Sequence, residues 1–405
     1  MKANFVAVLV ASVFCVIARA ECPPGDLNRD SRVDAADLVL FTAEWLTGSG
    51  GAANLAGDPN VDATDLAVLA SHWQQVNCPI VINEVLAHAH AEASDWIELY
   101  NPGTVRVDIG GWFLSDTDTD LEKYQIAEGT VVEPNGYVVL YETTTFGNPF
   151  DPGVRTLFAF TENGEGAYLY SGNDEVFPDY LTSESFGASE TSYSFGRYRK
   201  STGAYDFPTM SVVTPGAANA YPRVGPVVIN EIMYHPKGDA DAEYIELLNV
   251  TDATVTLFDY ECGEPWRVMD DSGIDFKFPT KAPVTLAPRE CVLLVKDPTA
   301  MQQYTVPAGA KVFAWPSGKL ANQGERLQLF KPGDVDEQGV RYWIEVDRVN
   351  FSDGSHGKDF RNGVDPWPAG ADGQGLSLSR LFSRRYGNDP NNWQAAIPTP
   401  GAAND

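Results

Sequence analysis

Pro79-Ile80-Val81-Ile82-Asn83-Glu84, followed by Asp95-Trp96-Ile97-Glu98-Leu99-Tyr100-Asn101, is a passage that this chain carries twice. It returns as Pro226-Val227-Val228-Ile229-Asn230-Glu231 and Glu243-Tyr244-Ile245-Glu246-Leu247-Leu248-Asn249, at offsets of 147 and 148 residues. Pro134 with Val138-Val139-Leu140 likewise matches Pro288 with Val292-Leu293-Leu294, and both copies close on Thr-Pro-Gly-Ala-Ala-Asn, at 214–219 and 399–404. Within each copy, short runs of Val, Ile, Leu, Tyr and Phe alternate with clusters of Gly, Pro, Asn and Asp, and no long helical stripe appears. The pattern predicts a mainly β chain with two homologous β-sandwich domains, 79–220 and 221–405. Ala220 to Gly225, with Pro222, reads as the linker.

A shorter repeat precedes them. Val33-Asp34-Ala35-Ala36-Asp37-Leu38 matches Val61-Asp62-Ala63-Thr64-Asp65-Leu66, 28 residues on, and Trp45 matches Trp73. Leu38, Phe41 and Trp45, and Leu66, Leu69 and Trp73, recur at helical spacing, which predicts one amphipathic helix per copy. The residues before each helix carry oxygen at the loop spacing that a hard, loosely coordinated cation such as Ca2+ requires. In the first loop these are Asp26, Asn28, Asp30, the carbonyl of Arg32, Asp34 and Asp37, with Ser31 where Gly makes the usual turn. The second offers Asn54, Asp58, the carbonyl of Asn60, Asp62 and Asp65. Ala56 cannot ligate and Pro59 fixes φ negative at the turn, so weaker binding is expected there. A small α-helical, EF-hand-like tandem module over 21–78 follows, joined internally by the Gly-rich stretch 47–53.

The first twenty residues read as a secretion signal: Lys2, an apolar run from Phe5 to Ile17, and Ala18-Arg19-Ala20 before Glu21. No other long apolar segment follows, so no membrane span is expected after cleavage. Export makes disulfides available to Cys22, Cys78, Cys262 and Cys291, which permit three pairings. Sequence proximity favours Cys22 with Cys78 and Cys262 with Cys291. The formal charge of −28, from 56 acidic and 28 basic residues, argues against nucleic acid as a partner, since duplex affinity rests on Lys and Arg at phosphates.

Two calcium loops, each followed by one helix and repeated in tandem, resemble the type I dockerin domain. The resemblance implies folding on calcium and docking to a cohesin-like protein on a scaffold or cell surface. In the partner-reading positions of that family stand Ala35-Ala36 and Ala63-Thr64, and the basic helix residues of cellulosomal members are replaced by Thr42, Ala43, Ala70 and Ser71. The strings Val-Ile-Asn-Glu and Trp-Ile-Glu-Leu-Tyr-Asn or Tyr-Ile-Glu-Leu-Leu-Asn, with Trp112, Trp266, Arg380, Trp393 and Thr399-Pro400-Gly401, resemble the lamin-tail domain. That resemblance implies immunoglobulin-like sandwiches, in secreted or surface modules.

Glu84 with Glu98, and Glu231 with Glu246, are candidate acid and base pairs. Their duplication argues instead for a hydrogen-bonding role needed in every copy. His88 and His90 share a strand face but lack a further nitrogen or sulfur ligand nearby, and Asp116, Asp118 and Asp120, like Asp270, Asp271 and Asp275, read as acidic turns. No nucleophile elbow, zincin helix or phosphate loop is present. The expected function is that of a secreted, non-catalytic docking and recognition protein whose β domains bind a polysaccharide or another surface protein. The alternative is an extracellular hydrolase or accessory protein in polysaccharide degradation.

Overall fold

The structure is a computed structural model of the chain. It describes residues 25, 27, 33, 35–46, 53–56, 60–73, 80–103, 106–174, 177, 179–336, 338–360, 363–402 and 404. The secretion signal and the Cys22–Cys78 pairing lie outside the described residues.

Two antiparallel sheets form the first sandwich. One orders its strands Phe195–Gly196, Val81–Leu86, Trp96–Tyr100 and Tyr137–Tyr141; the other orders Tyr124–Gln125, Phe113–Ser115, Gly166–Tyr170 and Leu181–Ser185. Between them Ile82, Ile97, Leu99, Trp112, Leu114, Phe146 and Leu169 pack as one apolar cluster. The second sandwich repeats the plan with a wider first sheet. Its strands run Lys311–Ala314, Cys291–Val295, Tyr244–Asn249, Val227–Met233, Ser377–Arg380 and Trp393–Ala396. Lys311–Ala314 pairs in parallel with its neighbour. The facing sheet is Asp275–Lys277, Arg267–Asp270, Gly324–Val335 and Arg341–Ser352, whose last two strands form a hairpin far longer than its counterpart in the first copy. The chain is therefore mainly β, with two immunoglobulin-like sandwiches. Among the described residues no helix is long and apolar enough to cross a membrane.

The opening strand of each copy is buried along its whole length rather than on alternate residues. One face meets the core, and the closing Thr-Pro-Gly-Ala-Ala-Asn segment bonds to polar groups of the strand, as described below. The register also shifts in the same place twice. Ile82 faces Leu99 while Glu84 faces Glu98, and Ile229 faces Leu247 while Glu231 faces Glu246. Asn83 and Asn230 are the extra residues of two matching β-bulges, a device that re-aims side chains. Asn101 and Asn249, at the ends of the second strands, are fully buried. Their amides donate to Val132 O (2.9 Å) and Leu286 O (2.9 Å), closing equivalent turns.

Two sequence expectations change. Cys262 and Cys291 are free thiols, not a disulfide. Cys262 lies in the turn between Phe258–Asp259 and Glu264–Pro265, its N–H donating to Asp259, whereas Cys291 opens a strand of the six-stranded sheet opposite Leu248. The segment 220–225 is not a loose linker either. Arg223 N donates to Thr209 O (2.8 Å) and Ser211 N to Tyr221 O (3.0 Å), which pins it to the first sandwich.

The N-terminal repeat forms two helices, Ala35–Ala43 and Ala63–Ser71. Val33, Phe41, Ala53, Val61 and Leu69 make its small core, with Leu27, Leu38 and Leu55 packed against it. Val33 and Val61, Phe41 and Leu69, and Leu27 and Leu55 are equivalent positions, so the module is one packing motif used twice. The predicted apolar stripes are buried only at their centres: Trp45 and Trp73 remain 37% and 40% exposed.

Candidate functional site

Of the predicted loop ligands, Asp26, Asn28, Asp30, Arg32, Asp34 and Asp58 lie outside the described residues. Asp37, Asn54, Asn60, Asp62 and Asp65 are described, and the two acids at the last loop position behave alike. Asp37 and Asp65 are both fully buried at the start of their helices. Asp37 Oδ1 accepts the N–H of Leu27 (2.7 Å), and Asp65 Oδ1 accepts that of Leu55 (2.6 Å), 28 residues further on. Asp65 Oδ1 also takes Ala56 N (2.8 Å), and its Oδ2 takes Asp62 N (2.9 Å). Asp62 in turn accepts from Thr64 N (2.8 Å), which completes a reciprocal cap of the second helix. Burial alone would raise the Asp65 pKa, but these backbone donors hold it below the usual carboxylate range. Each helix thus starts on a buried carboxylate that accepts a backbone N–H from ten residues earlier in the chain. A carboxylate offers about four lone-pair sites, and the N–H groups of Leu55, Ala56, Asp62 and Asp65 itself all bear on that of Asp65. Its oxygens are of the hard kind that calcium takes, as are those of Asn54, Asn60 and Asp62.

The paired glutamates of the sandwiches serve another purpose. Glu84 accepts from Ser194 Oγ (2.5 Å), Thr214 N (3.1 Å) and Thr214 Oγ1 (2.6 Å). Glu98 accepts from Asn83 Nδ2 (2.7 Å) and from Gly216 N. The second copy repeats this: Glu231 accepts from Ser377 Oγ (2.5 Å) and Thr399 N (3.0 Å), and Glu246 from Asn230 Nδ2 (2.8 Å) and Gly401 N (2.7 Å). Asn219 and Asn404 finish the clasp by donating to the bulge carbonyls, Asn83 O (2.9 Å) and Asn230 O (3.0 Å). All four carboxylates are fully buried. Burial raises the pKa of each, and with a second carboxylate opposite it pushes Glu98 and Glu246 up to about 7.

The comparisons agree with this duplicated architecture. A family model described as Lamin Tail Domain matches residues 74–183 and 222–350, more than half of the chain. The chain belongs to the lamin tail domain family. No curated protein matches it. Among solved structures, a DUF4876 family protein from Bacteroides thetaiotaomicron VPI-5482 is similar at 10% identity and a TM-score of 0.31. The match covers 79% of this chain and 96% of that one, and nothing about function transfers at that distance.

Burial likewise raises Glu165 and Glu325 of the lamin tail domains to about 7. A carboxyl whose folded pKa is about 7 and whose unfolded value is about 4.5 binds more protons in the folded state between those limits. Its stabilisation is complete below about pH 4.5 and is lost as pH rises through 7. Carboxylates held low, such as Asp206 and Glu190, act in the opposite sense, but their stabilisation is lost only as pH falls below the ordinary carboxylate values. Calorimetry of the chain is therefore expected to show the sandwich transition at higher temperature at pH 5 than at pH 8. An unchanged or lower transition at pH 5 would contradict this assignment.

The two lamin tail domains meet along a polar seam. Asp206, on the strand Tyr205–Asp206 of the first, accepts Arg348 Nη2 (2.6 Å), Tyr386 Oη (2.7 Å) and Asn388 Nδ2 (2.7 Å) of the second. Burial would raise its pKa, but Arg348, Lys200 and these hydrogen bonds outweigh that and hold it well below the usual range. Glu190 joins Arg223 (2.5 Å) to Lys331 (2.6 Å) on the same seam. Beside it opens a groove of about 570 Å³ lined by Tyr198, Tyr221 and Tyr386, by Arg199, Lys200 and Arg385, and by the one acid Asp389. A concentration of basic and aromatic side chains stands out on a chain whose net charge is −28.

The sequence signalled neither the seam nor the groove, because their residues fall outside the repeated strings. The histidine pair does not assemble. His88 Nε2 lies 3.1 Å from Glu162, while His90 is exposed and accepts from Glu92 N (3.3 Å). In the acidic turns Asp116 pairs with Lys123 (2.5 Å), Asp275 binds Arg267 through two hydrogen bonds, and Asp270 accepts three turn N–H groups.

Proposed function

We propose that the chain is a secreted, non-catalytic docking and recognition protein. A calcium-dependent, dockerin-like module attaches a coupled pair of lamin tail domains to a surface or scaffold partner. The observation that carries this reading is the equivalence of Asp37 and Asp65, two buried loop-closing carboxylates 28 residues apart. Calcium, when bound, supplies the positive charge that lets a dense set of acidic side chains share one small fold. Asp26, Asn28, Asp30, Arg32, Asp34 and Asp37 would hold it in the first loop, and Asn54, Asp58, Asn60, Asp62 and Asp65 in the second. The module also leaves Val39, Leu40, Trp45, Leu46, Leu66 and Trp73 at its surface, an apolar set suited to protein docking. On the lamin tail pair, the groove of three tyrosines and three basic side chains suits an anionic polymer or an acidic surface protein.

Titration calorimetry of the chelator-stripped chain with CaCl2 tests the reading. Two unequal binding events are expected, with a gain of helical circular dichroism, and Asp65→Ala is expected to remove the weaker one. No calcium heat would sink the proposal, and two equally tight sites would sink the inequality between loops. A capture experiment on the surface fraction of the producing organism tests docking: the partner is expected to be retained in calcium and released by chelator. Retention in chelator would overturn calcium-dependent docking.

A further inference from the structure

The connection between the last two long strands of the second sandwich, residues 353–376, is much longer than its counterpart at 186–194 in the first. Trp367 and Ala371 within it are buried in the core of the second sandwich. Gly354 has φ +84° and lies so close to Ala369 that a Cβ would meet its backbone at 2.8 Å, which fixes the turn that follows. This close approach gathers Asp353, His356 and Asp365. One carboxylate oxygen from each acid and one imidazole nitrogen all lie within 4.8 Å of one another.

The two acids are held by donors from the same turn. Asp353 is buried; its Oδ1 accepts Ser355 N (2.8 Å) and stands 3.2 Å from His356 Nδ1. Asp365 Oδ2 accepts Ser352 Oγ (2.5 Å) and His356 N (3.1 Å), and Oδ1 accepts Trp367 N (3.0 Å). Two carboxylates converging on one imidazole leave an uncompensated negative charge even when the histidine is protonated. A second observation concerns a neighbouring strand. Tyr234 is fully buried, its ring packs on Phe351 at 5.0 Å, and its hydroxyl has no hydrogen-bond partner in the protein. Besides burial, the charges acting on that hydroxyl are those of Asp372, Asp353 and Asp365, and Asp372 is already paired with His235 at 2.5 Å. A hydroxyl buried without a partner is costly to leave so.

We propose that Asp353, His356 and Asp365 bind a divalent transition-metal ion of the zinc class, with the Tyr234 hydroxyl hydrogen-bonding to the coordination sphere. One imidazole and two carboxylates suit zinc, which takes nitrogen and oxygen in a four-coordinate site. Calcium prefers six to eight oxygens and fits this set poorly. Three protein ligands leave one position for water or for an anionic group of a ligand. The site is independent of the N-terminal loops and of the reading given to them.

Chelator-treated full-length protein, titrated with ZnCl2 and separately with CoCl2, decides the matter. One equivalent of zinc and a visible absorption of cobalt at low symmetry are expected. His356→Ala is expected to lower zinc affinity by more than the roughly 10–100-fold that outer partners contribute, and Tyr234→Phe to lower it within that range. Asp365→Asn, nearly isosteric, serves should His356→Ala fail to fold, and it is expected to lose the cobalt spectrum. Zinc binding that survives Asp365→Asn undiminished would overturn the proposal. So would binding abolished by His88→Ala instead, which would place the ion on the separate group His88, Glu162 and Asp334.

Discussion

Replacing Arg380 by methionine is expected to destabilise the second sandwich by about 3–5 kcal/mol, the usual result of stripping one partner from a buried ion pair. Arg380 is 2% exposed and Asp347 6% exposed. Arg380 Nη1 donates to Asp347 Oδ2 (2.6 Å) and to Ile229 O (2.8 Å), and Nη2 donates to Arg385 O (2.6 Å). Asp347 Oδ2 also receives Ile229 N (2.8 Å). The pair thus fastens the long hairpin to the opening strand at the bulge. Methionine keeps much of the volume but leaves the Asp347 charge unmatched in the interior. Urea unfolding measures the loss. The double variant Arg380→Met with Asp347→Leu is expected to regain most of it, because an apolar replacement of a whole buried pair is often neutral or better. A double variant as unstable as the single one would show that shape, not charge, is what Arg380 supplies. The equivalent residue in the first sandwich, Arg197, instead stacks on Tyr205 with its guanidinium 3.6 Å from the ring centre.

Asp206→Ala is expected to uncouple the two lamin tail domains. Three donors of the second domain converge on this carboxylate, and its loss leaves Arg348 in the seam with only Tyr386 Oη (3.3 Å) and the Glu345 carboxylate (3.8 Å) to face it. Truncating one member of a hydrogen-bonded charge pair at an interface costs about 2–5 kcal/mol. Calorimetry of the unmodified chain is expected to show the two sandwiches melting together, and the variant is expected to show them melting separately. A single transition at an unchanged temperature would remove Asp206 from the coupling.

The duplicated strings made the sandwiches legible, since Ile82, Ile97 and Leu99 reappear in kind at Ile229, Ile245 and Leu247 and bury the same faces. The glutamates were visible as a pair but not as a clasp: their partners Thr214 and Thr399 lie well over a hundred residues away, and only the bulges at Asn83 and Asn230 align them. The strand Gly324–Val335 runs through Lys331-Pro332-Gly333, with the proline opposite Trp343 at the edge of a register shift. Cysteine proximity misled for a related reason: Cys262 and Cys291 are near in sequence but belong to different parts of the sandwich. The groups Asp206 with Tyr386, and Asp353 with Asp365, lie outside the repeated strings, so self-similarity could not reveal them.

The Thr-Pro-Gly-Ala-Ala-Asn clasp has a bearing on synthesis. Each sandwich begins with two strands that carry one buried glutamate each and ends with the six residues whose N–H groups donate to them. A chain assembled as far as Ser194 gives Glu84 and Glu98 their partners Ser194 and Asn83, but not the donors of Thr214 and Gly216. At the second domain Thr399 and Gly401 are likewise the last donors to arrive for Glu231 and Glu246. A product cut short before either segment keeps its glutamates with only part of their hydrogen bonds and leaves the opening strand without its clasp.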